Sequence, residues 1–220
     1  MCGRFVRSSP REVICDEFDA VAAADADFAP RYNICPGDAV LAVAGGESRR
    51  VGQLRWGLVP SFAKDARGGP RAINARAETV HVRPAFRSAF RRRRCLIIAD
   101  GFYEWRRDGA ARVPFLARPR DTRPLAFAGL WDRWRGPDGQ ELTSCAIVTC
   151  PANADLATVH DRMPVILDRE ARERWLAPGQ EAEALQALLR TYLDGALEVY
   201  EVSRLVNSPR NDVPECTRSV

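Results

Sequence analysis

Cys2 has the most distinctive chemistry open to it of any residue in the chain. It directly follows Met1. A small second side chain lets an initiator methionine be removed, which would leave cysteine as the first residue. A free α-amine with a pKa of about 8 and a thiol of about 8.5 would then sit on adjacent carbons. Each is a nucleophile, and amines form Schiff bases with carbonyls. An aldehyde carbon captured by the amine can next be attacked by the thiol, closing a five-membered thiazolidine ring. That second step is intramolecular and gains from proximity. No internal cysteine can react this way. The plainer alternative is that Cys2 is a tolerated second residue.

The surroundings favour chemistry. Gly3 lets the backbone approach closely and Arg4 puts a cation beside the terminus. Three later segments are more polar than their context requires. Residues 71–79 hold Asn74 between Arg71 and Arg76; residues 99–105 set Glu104 among Phe102, Tyr103 and Trp105; residues 159–164 carry His160, one of two histidines.

Composition narrows the field. The chain has 220 residues, 46% of them hydrophobic and 28% charged, ordinary values for a soluble globular protein long enough to build a core. No run approaches the ~20 apolar residues of a membrane helix. Met1–Arg7 holds no apolar stretch of signal-peptide length, so a cytoplasmic location and no membrane partner are expected. The net charge of +4 comes almost wholly from arginine, since Lys64 is the only lysine. An arginine-rich genome explains this, and so does an anionic partner, because guanidinium forks suit phosphate oxygens. Seven cysteines without a CxxC pair and two histidines make a poor zinc framework, so no metal or cofactor is expected. Most of the thiols should be small buried hydrophobes.

The elements that must position these residues read as α+β. A Ser9-Pro10-Arg11-Glu12 start predicts a helix from residue 9 to about 23. Strands are predicted at 39–44, 51–59, 95–105, 113–117, 124–131, 142–149 and 197–202, at the short spacing of antiparallel sheets. Helices are predicted at 83–91, 168–176 and 180–193. Loops are expected at 29–37, 63–70, 106–111, 118–123 and 134–140. The prediction is one domain over residues 1–220, with a largely antiparallel, barrel-like core flanked by helices and a flexible tail at 211–220. The arginine run 91–94 cannot all face one strand of nucleic acid, and a solvated helix end explains it equally well.

Six ordered motifs together resemble the SOS-response-associated peptidase family, the abasic-site processing proteins. They are MCGRF at 1–5, RYNICPG at 31–37, RWGLVP at 55–60, INARAET at 73–79, ADGFYEW at 99–105 and HDRMPV at 160–165. Residues 203–208 also look like the family's closing segment, whereas the CPG at 35–37 differs from the more familiar APG. The resemblance implies a protein that acts as a monomer on single-stranded DNA containing abasic sites. It would crosslink its N-terminal cysteine to the open-chain sugar as a thiazolidine and so shield the lesion.

By the same resemblance Asn74, Glu104 and His160 surround Cys2 as the catalytic set. A carboxyl among aromatics is desolvated and suited to pass protons near pH 7. Imidazole titrates near neutrality, and an amide can orient an aldehyde or sugar hydroxyl. Their structural alternatives are a surface salt bridge, a hydrogen-bonded histidine and a turn asparagine. DNA contacts are expected from Arg4, Arg76, Arg83 and Arg162 to phosphates and from Trp56, Phe62 and Trp105 to bases. Two other functions stay open: a thiol peptidase using Cys2, His160 and Glu104, with the chain's own Met1 as target, and a non-covalent reader of modified DNA.

Overall fold

The apolar runs in the middle of the chain form strands because β-branched and aromatic side chains fit a pleated surface that is buried on its faces. The computed structural model describes residues 2–45, 49–66, 72–109 and 111–220. Met1, Arg71 and part of the loop expected at 63–70 lie outside the described residues. In chain order the elements are β1 (Arg4–Arg7), α1 (Arg11–Phe18), β2 (Val21–Ala22), β3 (Arg31–Ile34), β4 (Ala39–Ala44), β5 (Arg50–Trp56), β6 (Asn74–Arg76), α2 (Pro84–Arg92), β7 (Arg94–Ala99), β8 (Gly101–Asp108), β9 (Ala111–Pro119), β10 (Leu125–Arg135), β11 (Glu141–Pro151), β12 (Arg162–Pro164), α3 (Arg169–Leu176), α4 (Ala182–Gln186) and β13 (Leu197–Glu201). Short 3₁₀ turns follow at Arg204–Asn207 and Pro214–Thr217.

Five of the strands close on themselves. The antiparallel series β11-β10-β7-β4-β5 is completed by a parallel pairing of β5 with β11, where Arg55 faces Ser144 and Trp56 faces Cys145. Closure removes the exposed edges of these strands. A second, antiparallel sheet runs β13-β9-β8-β1-β3. It packs on the barrel through Phe5 and Phe102. The Phe5 ring lies 5.2 Å from that of Trp56 and 6.0 Å from that of Phe127, and Phe102 lies 5.9 Å from Phe127. The opposite face of this sheet buries a smaller cluster of Val6, Tyr103, Leu116, Val202, Val206 and Cys216. The architecture is α+β with a barrel-like core, as the strand spacing predicted. Among the described residues no helix is long and apolar enough to cross a membrane.

Several boundaries differ from expectation. The first helix stops at Phe18 rather than near residue 23, because Asp19 turns left-handed with φ of 46°. The strand expected over 95–105 is two strands. The Asp100 carboxylate accepts from the Ser9 amide at 2.7 Å and hydroxyl at 2.6 Å, while its own amide donates to Val6. That junction turns the chain from the barrel into the second sheet. The loops expected at 29–37 and 106–111 contain β3 and the ends of β8 and β9. The helix expected over 180–193 is the short α4; beyond its end the amides bond back only three residues, Leu188 to Leu185 and Leu189 to Gln186.

Residues 211–220, expected as a flexible tail, are docked. Cys216 is buried, and the Asp212 carboxylate accepts from the Tyr32 and Asn33 amides at 2.5 and 2.9 Å and pairs with Arg31. The arginine run divides. Arg91 and Arg92 are exposed and Arg93 pairs with Asp132 at 3.2 Å. Arg94 is buried, donating to the carbonyls of Trp175, Phe90, Arg91 and Ala177.

Candidate active site

The antiparallel pairing of β1 with β8 sets Arg4 opposite Tyr103 and Phe5 opposite Phe102. Extended two steps beyond β1, that register would carry Gly3 past Glu104 and Cys2 past Trp105. Cys2 is fully buried. From the other side β6, held parallel to β11 with Asn74 opposite Ile147, brings the Asn74 side chain to the same point. Its Nδ2 donates to the Cys2 carbonyl at 2.8 Å. The buried Asn74 Oδ1 has no hydrogen-bond partner among the described residues and so keeps an acceptor in reserve.

Glu104 sits on β8 with its residue only 3% exposed. Burial, opposed only in part by neighbouring charge, pushes its carboxyl up to about 7. Burial also pushes the Cys2 thiol up, and the nearby Glu104 charge adds to this, so the sulfur is a neutral thiol at physiological pH. His160 Nε2 lies 3.8 Å from Glu104 Oε2. His160 Nδ1 meets the Arg162 amide at 2.9 Å and the Arg162 carbonyl at 3.2 Å; in the neutral tautomer that accepts from the amide, the ring proton is on Nε2, facing Glu104. Burial lowers the imidazole's pKa and favours that neutral form, although Asp161, 3.1 Å from Nδ1, works the other way. The four catalytic candidates named from sequence are thus brought to one place: a thiol, an acid poised near neutrality, an imidazole beside it and an amide on the Cys2 backbone.

An open cleft of about 600 Å³ lies over this cluster, lined by Gly3, Arg4, Glu104, Trp105, Arg107, Arg112, His160 and Asn207. Trp105 is half-buried; its indole N–H donates to Asn207 Oδ1 at 2.7 Å and the Arg4 guanidinium lies 5.8 Å from its ring. Arg4 is itself held by Asn33 Oδ1 at 2.8 Å and the Val206 carbonyl at 2.6 Å.

The remaining DNA-contact candidates differ in setting. Arg76 and Arg83 are exposed, as is Phe62 at 68%. Arg162 is engaged within the protein, gripping the Glu78 carboxylate at 2.5 and 3.0 Å and the Thr149 carbonyl at 2.7 Å. Trp56 requires correction as a base-stacking residue. It is fully buried, bonded to the Ile73 carbonyl at 2.9 Å and packed on Phe5, so it presents no face to a ligand.

The sequence reading passed over Arg107, Arg112, Asn207 and Asn33. The available signal for the arginines was Asp108-Gly109, a hairpin-turn signature that follows Arg107 directly and precedes Arg112 by three residues. Among the described residues no group of three His, Cys, Asp or Glu side chains is arranged to hold a metal ion.

Comparison with known proteins converges on one family. Residues 1–209 match the model of the SOS response associated peptidase (SRAP) family. The chain is 41% identical over 223 residues to abasic site processing protein YoqW of Bacillus subtilis, covering 100% of both chains. It is 35% identical to abasic site processing protein HMCES of Gallus gallus, with 79% of this chain and 58% of that protein covered. A crystal structure of a Bacteroides thetaiotaomicron protein shares the fold with a TM-score of 0.89 at 23% identity over 100% of both chains. One from Bordetella bronchiseptica matches with a TM-score of 0.78 at 27% identity, over 92% of this chain and 100% of that one. The motifs read from the sequence, the architecture and the whole-length match agree, and the chain belongs to the SOS response-associated peptidase family.

Proposed function

We propose that this protein processes abasic sites in single-stranded DNA by forming a covalent thiazolidine between Cys2 and the ring-opened sugar. The observation that carries the reading is the convergence of Glu104, His160 and Asn74 on Cys2. Relatives over the full length of the chain bear the name abasic site processing protein, which supports the same substrate.

The steps follow from the groups present. After Met1 leaves, the Cys2 amine adds to the C1′ aldehyde of the open-chain sugar, and the carbinolamine loses water to give a Schiff base. Glu104 in its acid form donates the proton that lets hydroxide leave as water. As a carboxylate it then accepts the thiol proton while sulfur attacks the same carbon. The Schiff base left by that loss of water is protonated, so the electron pair of its C=N bond returns to nitrogen and leaves the neutral ring amine. The sum is aldehyde plus aminothiol giving thiazolidine plus water. A carboxyl that titrates near 7 can serve in both forms. The Nε2–H of His160 stabilises the carboxylate it faces, and the Asn74 amide fixes the Cys2 backbone and offers Oδ1 to the terminal amine. A thiol peptidase needs a thiolate at rest, which the buried Cys2 environment disfavours.

The test is a denaturing gel after incubating processed protein with single-stranded DNA carrying one abasic site. A shifted band is expected from wild type, and none from Cys2→Ala or from protein with residues fused ahead of Cys2. Intact mass should show the adduct only on chains that have lost Met1. A wild type that gives no shift, or an adduct on chains retaining Met1, overturns the mechanism.

A further inference from the structure

Where an arginine of the described residues faces another charged side chain across a sheet, its charge is met in every case but one. Arg118 of β9 stands opposite Glu198 of β13 and pairs with it at 2.9 Å. Arg135 of β10 stands opposite Glu141 of β11 and pairs with it at 2.6 Å. Arg7 and Arg31 face each other across β1 and β3, but each is satisfied elsewhere. Arg7 donates to the Phe28 and Ala29 carbonyls, and Arg31 pairs with Asp38 and Asp212.

The β8–β9 hairpin departs from this rule. Arg107 and Arg112 are directly opposite in its ladder, both are exposed, and neither forms an ion pair with any described residue. Side chains opposed in this way have Cβ atoms about 4.5–5.5 Å apart, where like charges repel and destabilise the sheet. The neighbouring Arg106 lies on the other face, its guanidinium 4.7 Å from the Phe115 ring. An uncompensated pair of guanidinium groups is therefore kept at the part of the hairpin that borders the cleft, which both residues line together with Arg4, Trp105, Glu104 and His160.

We infer that Arg107 and Arg112 form a two-pronged phosphate site for the nucleic-acid strand that enters this cleft, a reading that rests on the function proposed above. Arg107 is three residues along β8 from Glu104, or about 10 Å at the rise of a strand. The site thus engages the phosphodiester backbone a short way along the strand from the sugar held at Cys2. The planar guanidinium forks match paired phosphate oxygens, and a bound phosphate removes the repulsion between them. The strand is positioned without its bases being read. Among the described residues the one carboxylate lining the cleft, that of Glu104, is buried and by strand alternation belongs to the opposite face of β8 from Arg107, so it does not compete for the arginines.

Two variants test this. Arg107→Ala combined with Arg112→Ala should weaken binding of an unmodified single-stranded oligonucleotide at low salt. It should also flatten the slope of log affinity against log salt by about 0.7, the value for the one phosphate that the pair holds. Crosslinking to the abasic oligonucleotide below saturation should slow in step with occupancy. Arg112→Glu places at this register the pairing seen at Arg118–Glu198, so it should raise the melting temperature while weakening the oligonucleotide further. Unchanged affinity and slope in the double variant overturn the inference, as does a fall in melting temperature for Arg112→Glu. If wild type forms no crosslink at all, the proposed function fails, and the salt slope with unmodified DNA still decides whether the arginine pair holds phosphate.

Discussion

Cys2 and Cys95 are the same residue in equally dry settings, and they are chemically unlike. Both are fully buried and both thiols are pushed well above their usual range. For Cys95, burial is the whole cause. It sits inside the barrel wall opposite Gly129, packed so closely that a Cβ added at Gly129 would lie 2.8 Å from its sulfur. Around Cys2 there are a carboxyl near neutrality, an imidazole and an amide. Burial therefore decides the protonation of a thiol, and the polar groups around it decide whether the proton can be moved.

The most severe way to break that contrast is to exchange the two outcomes by mutation. Cys2→Ala should abolish crosslinking and, because its sulfur is buried in the same core, cost stability about as much as the same change at Cys95. Cys95→Ala should leave crosslinking intact and cost stability by about 1 kcal/mol, because the barrel wall around a deleted sulfur relaxes only in part. Denaturing gels and thermal melts read the two effects separately. Crosslinking that survives Cys2→Ala but fails in Cys95→Ala would reverse the assignment.

Next in size is the acid. Glu104→Gln should slow adduct formation by about 10²–10⁴-fold, the usual worth of a positioned proton-transfer group. It should also remove an inflection near pH 7 from the rate profile. Stability gives an independent check with a definite sign. The folded carboxyl titrates at about 7 against an ordinary 4.5, so between those values the folded state binds more protons than the unfolded one. Wild-type stability should then fall as pH rises through that window, by up to about 3 kcal/mol at 1.36 kcal/mol per unit, and Glu104→Gln should lack that slope. Parallel stability curves for the two proteins would place the carboxyl outside the apolar setting described.

Two tryptophans repeat the contrast and show what the sequence could and could not disclose. Trp56 and Trp105 both lie in motifs of similar character, yet one is a wholly buried wedge against Phe5 and the other edges the cleft. The difference arises from the β5–β11 pairing that closes the barrel, a contact between residues nearly ninety apart in sequence. The convergence of Cys2, Asn74, Glu104 and His160 was legible only through the resemblance of their motifs to a known family, because nothing in their spacing along the chain brings the four together. Strand positions were legible from apolar runs. The docked closing segment was not, because Asp212 and Cys216 lie in a polar stretch whose partners, Tyr32 and Asn33 among them, are about 180 residues upstream. Trp105→Ala should weaken single-stranded DNA binding by about 1–3 kcal/mol if the indole stacks on a base. Trp56→Ala should instead cost about 3–5 kcal/mol of stability. Fluorescence titration of the folded variants separates the two, and equal losses of DNA affinity would undo the distinction.

The smallest expected effect belongs to two arginines set apart by the same logic. Arg76 is exposed beside the β6 residue that reaches Cys2. Arg162 is tied to Glu78 and to the Thr149 carbonyl, an arrangement that raises its own pKa and lowers that of Glu78. A phosphate contact is sequence-independent and releases counterions, so Arg76→Ala should weaken all single-stranded oligonucleotides to a similar degree and reduce the salt slope by about 0.7. Arg162→Ala removes a group whose donors are already occupied inside the protein. It also strips the Glu78 carboxylate of its guanidinium partner, leaves the Thr149 carbonyl with the Ala77 amide alone, and frees the loop that presents His160. Its expected signature is slower crosslinking at saturating DNA with little change in salt slope. Sequence-dependent losses for Arg76→Ala would contradict a phosphate role. A full salt-slope change for Arg162→Ala would mean that the guanidinium releases Glu78 and turns to the strand when DNA binds.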